Sequence, residues 1–387
     1  MPAPDRIPVS LLTGFLGSGK TTLVNHLVRS PLIRGAAVIV NEFGEIGLDH
    51  DLIETSEDDL ILLNNGCLCC TVRGDLIKTI HDLFLRQARQ QVLPFDRILI
   101  ETTGLADPAP ILQTLMTDPV IASRLRLDGI VTVVDAATGA ATLDRHKEAV
   151  KQAAFADRLL ITKIDLVSSD EIARLKGKLR DINPAAPILF SHHGVIDPRH
   201  VIGLGLYDAS RKTLDVQNWL KADDYPQVHS HEHADAHRAD HDSDHDDHRH
   251  DVNRHDPHIR AFCFTIEEPV SGYSFDLWIG ALTTLVGPDL LRVKGLIHVA
   301  GHDRPMVIHG VQHIFHPPVF LKAWPSEDRR SRIVFIGYDL DEAVLRDMLR
   351  IFVTAAAAEQ DLTLSPVASE YSDISLFEAL PRQTRPI

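Results

Sequence analysis

One short run constrains the fold of this chain more than any other: Gly14-Phe15-Leu16-Gly17-Ser18-Gly19-Lys20-Thr21. It fits G-x-x-x-x-G-K-[ST], with an apolar, strand-like stretch (residues 7 to 13) directly before it and a helical pattern from Lys20 directly after it. Strand, tight loop and helix in that order open an α/β domain built on a mainly parallel sheet. Gly14, Gly17 and Gly19, with Ser18 among them, let successive backbone N–H groups turn inward around phosphate oxygens. Lys20 supplies positive charge to the outer phosphates, the Thr21 hydroxyl suits Mg²⁺, and Thr22 beside it is counted with the phosphate-binding residues.

The alternation continues. Strands are expected at 36–41, 60–63, 97–101, 129–135, 158–162 and 188–191, with helices from Thr71 towards Gln91 and around Ala109, Arg145 and Asp170. Near-continuous apolar strands separated by helices indicate a sheet covered on both faces. A chain of 387 residues is long for one core, and its composition changes sharply in one place. Residues 229 to 258 hold ten of the 22 histidines and almost nothing that could enter a core, so this segment is expected to divide the chain as a disordered, hydrated linker. Beyond it the pattern is strand 260–267, helix 273–286, two or three strands between 290 and 314, strand 332–337 and helix 341–357, a small α+β domain.

Two more motifs sit at strand ends, where open α/β sheets bind ligands. In Ile98-Leu99-Ile100-Glu101-Thr102-Thr103-Gly104, Glu101 suits Mg²⁺, through water, while the Gly104 N–H suits the terminal phosphate and can sense its loss. Lys20, Glu101 and Gly104 are therefore the expected catalytic residues. In Thr162-Lys163-Ile164-Asp165 the Asp165 carboxylate offers paired acceptors to the two N–H donors on the edge of guanine, and the Lys163 stem can cover the ring, which favours GTP over ATP. Asp135, at another strand end, reads as structural.

Between these motifs lies Asn64-Asn65-Gly66-Cys67-Leu68-Cys69-Cys70-Thr71. Cysteines at i, i+2 and i+3 can present two or three thiolates to one soft or borderline cation. With this run in place, the order P-loop, Asn41-Glu42-Phe43-Gly44, Gly66 to Cys70, Glu101 to Gly104 and Thr162 to Asp165 resembles the CobW-like GTPases, relatives of the UreG and HypB metallochaperones. The stretch through Leu290 to Gly295 and His309 to Gln312 resembles that family's C-terminal domain more weakly. Taken with the composition break, the resemblance implies a P-loop GTPase domain over 1–222 and a C-terminal domain with a flexible tail over 259–387, divided by the disordered His/Asp-rich linker, 223–258. It also implies GTP-driven insertion of a transition metal, zinc or alternatively Co²⁺, into a client metalloprotein, with GTP, Mg²⁺ and Zn²⁺ as cofactors. Cys67, Cys69 and Cys70 are the expected ligands, and Glu42, or a partner's ligand, is the candidate to complete a tetrahedral site.

His229, His231, His233, His237, His241, His245, His248 and His250 stand among carboxylates and offer many exchangeable donors, an auxiliary set that identifies a metal handler without selecting the metal. His298, His302, His309, His313 and His316 are singly placed and read mainly as strand or loop residues. No residue stands out as a catalytic glutamine or arginine finger, so slow intrinsic turnover is expected and an activating protein is an expected partner. Lys+Arg 39 against Asp+Glu 54 gives a formal charge of -15, which disfavours nucleic acid and anionic membranes as partners. A cytoplasmic location follows from the absence of a spanning segment and from cysteines suited to a reduced state. The oligomeric state stays open, a dimer being one option. Two other functions fit part of the pattern: an ATP-dependent P-loop kinase of a small molecule, and a metal buffer with a regulatory nucleotide site.

Overall fold

A computed structural model describes residues 6–33, 35–41, 61–65, 72–204 and 259–350. Seven strands form the first sheet: β1 (Ile7–Thr13), β2 (Ala36–Asn41), β3 (Ile61–Asn65), β4 (Arg97–Glu101), β5 (Leu125–Asp135), β6 (Arg158–Thr162) and β7 (Ile188–Phe190). They run parallel in the order β3-β2-β4-β1-β5-β6-β7. β1 lies in the middle, and the chain winds to one side of it through β4 and to the other through β5, so a switch point falls at the end of β1. Helices α1 (Lys20–Val28), α2 (Val72–Ala88), α3 (Ala109–Thr117), α4 (Pro119–Arg124), α5 (Gly139–Arg145), α6 (Lys147–Phe155) and α7 (Ser169–Ile182) fill the crossovers. The central strands bury both faces, which is why Val9, Leu11 and Leu12 of β1 and Leu159, Leu160 and Ile161 of β6 are fully enclosed.

The first unit departs from the sequence-based expectation most clearly in three places, and in the second unit β12 (Val319–Phe320) was not expected. β5 begins at Leu125, before the expected Gly129, because Asp128 does not interrupt it: the buried carboxylate accepts from Ser10 Oγ at 3.0 Å and Leu204 N at 3.1 Å. The helix expected around Arg145 is two helices, parted at His146, whose backbone is extended and whose ring lies 4.6 Å from that of Phe15 in the P-loop. The short helix α4 was not expected; Asp118 starts it by accepting from Val120 N and Ile121 N.

The second sheet is antiparallel, made of β8 (Ile259–Ile266), β9 (Leu290–Ile297), β10 (Met306–Val311), β11 (Ile314–Phe315), β12 (Val319–Phe320) and β13 (Ser331–Tyr338). Its order is β11-β10-β9-β13-β8, with β12 paired to β10. One face, with Phe262, Phe264 and Phe335, packs under α8 (Gly272–Leu285) and a helix over 342–350. The opposite face, with Ala261, Leu291, Leu296, Val334 and Ile336, shares one apolar core with the first unit. Alternate residues of β13 thus serve two cores, as the period of a strand dictates. At the seam Asp157, fully buried just before β6, meets Arg292 and Lys294 of β9, each at 2.7 Å. Gln113 of α3 donates to Gln312 at 2.7 Å. Among the described residues no helix is long and apolar enough to cross a membrane.

Candidate nucleotide-binding site

Parallel register brings the motifs to one edge. Leu12 of β1 is the partner of Glu101 on β4, Thr13 of Thr132 on β5, and Asp135 on β5 of Thr162 on β6, so the loops that follow these strands emerge side by side. The P-loop follows β1 with Gly14 at φ +144°, where an added Cβ would stand 2.3 Å from Val133 O. Only glycine fits there, because the loop's first turn is pressed on the neighbouring strand. Lys20, the first residue of α1, is 8% exposed and donates from Nζ to Gly14 O at 2.9 Å and Phe15 O at 3.2 Å. Its charge is thus held within the loop, at the positive end of a helix suited to phosphate.

Thr21 and Glu101 come together as expected: Thr21 Oγ1 donates to Glu101 Oε1 at 3.2 Å. A hydroxyl beside a carboxylate, both hard oxygen donors at the edge of the phosphate loop, fits Mg²⁺. Thr102 Oγ1 donates to Thr13 Oγ1 at 2.8 Å and ties the strand ends beneath them. Gly104 is pressed on the P-loop, since an added Cβ would lie 2.6 Å from Leu16 N. Thr22 is exposed and touches the loop after β7, where a Cβ on Gly194 would lie 2.8 Å from Thr22 Cγ2.

The Thr162 to Asp165 run is built into the same floor. Thr162 Oγ1 donates to Ser18 O at 2.7 Å, and Lys163, at φ +54°, donates to Gly17 O and to Asp135 Oδ2, each at 2.7 Å. Asp135 also accepts from Ala137 N at 2.7 Å, so it braces Lys163 while closing its own strand end. Asp165 is exposed in a 3-10 turn, Ile164–Leu166, at the rim.

Sequence reasoning missed two residues near this site. Gln152 is buried among Ala149, Ala153 and Ala154 on α6, and a polar residue inside an apolar helical face was the available signal. His146, against Phe15, had none. Glu42, Cys67, Cys69 and Cys70 lie outside the described residues, as do the histidines from His229 to His258. Their flanking strands are described: Asn41, the last residue of β2, is the register partner of Asn65, the last of β3, and Val40 is the partner of Glu101. In the second unit, His298 packs against Trp324 and His302 against Phe320. Among the described residues no three of His, Cys, Asp and Glu gather so as to hold a metal. Burial pushes the Cys263 thiol up to about 11, which keeps it protonated at neutral pH.

Comparison with known proteins agrees with this geometry. Residues 8–190 match the family model described as CobW/HypB/UreG, nucleotide-binding domain, and residues 259–353 match the cobalamin synthesis protein cobW C-terminal domain. A protein named zinc chaperone YjiA, from Escherichia coli, is 32% identical over 340 residues, covering 88% of this chain and 96% of its own length. One named zinc chaperone CobW, from Pseudomonas aeruginosa, is 30% identical over 382 residues, covering 89% and 91%. The crystal structure of Zn(II)-bound YjiA GTPase from E. coli superposes with a TM-score of 0.65 at 27% identity, covering 90% of this chain and 99% of that one. The P-loop, the acid at the end of β4 and the doubly covered C-terminal sheet thus occur together in a chain that belongs to the CobW/HypB/UreG family.

Proposed function

We propose that this protein is a GTP-hydrolysing metallochaperone that carries zinc on a cysteine loop and passes it to a client metalloprotein. The observation that carries this reading is the register at one edge of the sheet. Val40 and Glu101 are partners there, and so are Asn41 and Asn65. Glu42 follows Asn41 directly in sequence, and Cys67 is the second residue after Asn65. The candidate zinc ligands therefore follow β2, the neighbour of the strand that ends in the proposed Mg²⁺ carboxylate, and β3, one strand further out, which supports coupling between nucleotide and metal.

In this reading Lys20 exchanges the Gly14 and Phe15 carbonyls for phosphate oxygens, and the Gly104 backbone approaches the terminal phosphate. Thr21 and Glu101 would hold Mg²⁺, which neutralises charge on the phosphates when bound. Thr162, Lys163 and Asp135 lock the base-side loop to the P-loop. Hydrolysis removes the contact that holds the Gly104 segment, and the loops joined to it relax, lowering the hold on the metal. The names of the two zinc chaperones and of the YjiA GTPase support both halves of this function. The reaction is expected to take place in the cytoplasm.

Replacing Cys67, Cys69 and Cys70 together by Ser is expected to remove one tight, roughly stoichiometric zinc equivalent and leave GTP binding in place. Zinc titration against a competing chelator, with and without a GTP analogue, checks this; unchanged zinc occupancy would exclude the three thiols as the principal ligands. Base choice rests on Asp165. GTP is expected to bind at least about tenfold more tightly than ATP, and Asp165→Asn to shift the preference towards xanthine nucleotides by inverting the donor and acceptor pattern. Equal affinity of the parent protein for GTP and ATP would reject the guanine assignment.

A further inference from the structure

α6 meets the site at the P-loop and at the segment after β4. His146, immediately before it, packs its ring, tilted, against that of Phe15 of the P-loop. Gln152, on its inward face, is fully buried, and a buried amide is destabilising unless its donors are satisfied. Its Nε2 donates to Gly104 O at 3.1 Å and to Ala106 O at 3.0 Å. Two carbonyls facing one end of the amide also fix which way it points. The helix position itself is pinned, since Thr132 Oγ1 of β5 donates to Gln152 O at 2.6 Å.

The neighbouring residue grips the same segment. Lys151 Nζ lies 2.9 Å from Asp107 Oδ2, and Asp107 accepts from Ala109 N at 2.9 Å to start α3. Residues 104 to 107 therefore have their path set from α6. Towards the P-loop there is no slack, because Gly104 already stands against Leu16. A change in how α6 holds this segment must appear as a change in the distance between Gly104 and the phosphate loop.

We infer that Gln152 is a positioning residue for GTP hydrolysis: it holds the Gly104–Asp107 segment where a terminal phosphate can be met, without touching nucleotide itself. The inference rests on the reading of Gly104 given above and adds the residue that sets its place. It predicts selectivity between nucleotides. GDP lacks the phosphate that the segment meets, so a fault in its placement should weaken a triphosphate and spare the diphosphate.

The test compares Gln152→Met, which keeps the volume but has no donor, with Gln152→Ala, Gly104→Ala and the parent, all as the full chain. Affinities for a non-hydrolysable GTP analogue and for GDP are measured with kcat for GTP, and thermal midpoints report on the fold. The expected result for both Gln152 variants is roughly tenfold weaker analogue binding and about tenfold lower kcat, with GDP affinity within about twofold of the parent, the scale of one buried hydrogen-bonding group. Equal weakening of both nucleotides, or a lowered thermal midpoint with an unchanged ratio, would mean that Gln152 serves packing only and would overturn the inference. Gly104→Ala separates the two levels. If it lowers the analogue-to-GDP ratio and the Gln152 variants do not, only the positioning role fails; if it too leaves the ratio unchanged, the reading of Gly104 fails and the inference goes with it. Should the methionine variant not fold, the alanine variant decides.

Discussion

Lys20→Ala is expected to leave a folded protein whose kcat/KM for GTP is lower by roughly 10³-fold, in the range lost when a pre-set cationic or hydrogen-bonding group is removed from a phosphoryl-transfer site. The size of the effect follows from where the charge sits. Lys20 Nζ is held at the start of α1 by two carbonyls of its own loop, with 8% of the residue exposed, so it acts in a partly dehydrated place where electrostatic attraction is strong. Removing it should not cost the helix, since alanine is the best helix former. A circular dichroism spectrum matching the parent, beside steady-state hydrolysis, makes the comparison clean. Activity within tenfold of the parent would mean that Lys20 does not face the phosphates.

Asp157→Asn should have the largest effect on stability, about 3–5 kcal/mol, because it removes a fully buried negative charge that both Arg292 and Lys294 meet. Burial by itself pushes the Asp157 carboxyl up, but Arg292, Lys294, the Lys294 hydrogen bond and the Ile130 N–H together outweigh it and hold the carboxyl below the ordinary range. A carboxylate depressed in the folded state contributes stability above its unfolded value, near pH 4, and that contribution is lost as pH falls through the lower folded value. The parent should therefore lose stability on acidification below about pH 4 in a step that Asp157→Asn lacks. Urea unfolding followed at several pH values reads both effects. Changing Asp157, Arg292 and Lys294 together to apolar residues of similar size should recover most of the loss, since the penalty comes from stranded charge. A single variant as stable as the parent at neutral pH would show that the seam does not depend on this pair.

What the sequence showed plainly was local. The P-loop, Glu101 to Gly104 and Thr162 to Asp165 are each contiguous, each follows an apolar strand, and their strands were legible from unbroken hydrophobic runs. Parallel pairing then brought their ends together, as the Leu12 to Glu101 and Asp135 to Thr162 registers record. What stayed hidden was non-local. Asp157 meets Arg292, 135 positions away on β9, and no periodicity in either segment marks that meeting. β5 starts four residues before the expected Gly129 and runs through Asp128, whose burial makes sense only with Ser10 and Leu204 beside it. Gln152 sat in plain view as a polar residue on an alanine face, but its meaning lay in carbonyls some 48 positions upstream.

The shared core between the two units bears on how the molecule can move. The face of the second sheet that carries Leu291, Leu296 and Val334 is welded to the first unit, with a buried charge cluster at its centre and Gln312 fastened to α3. α3, which begins five residues after Gly104, packs against β10 and is tied to Gln312, so a displacement of that helix would be met directly by the second sheet.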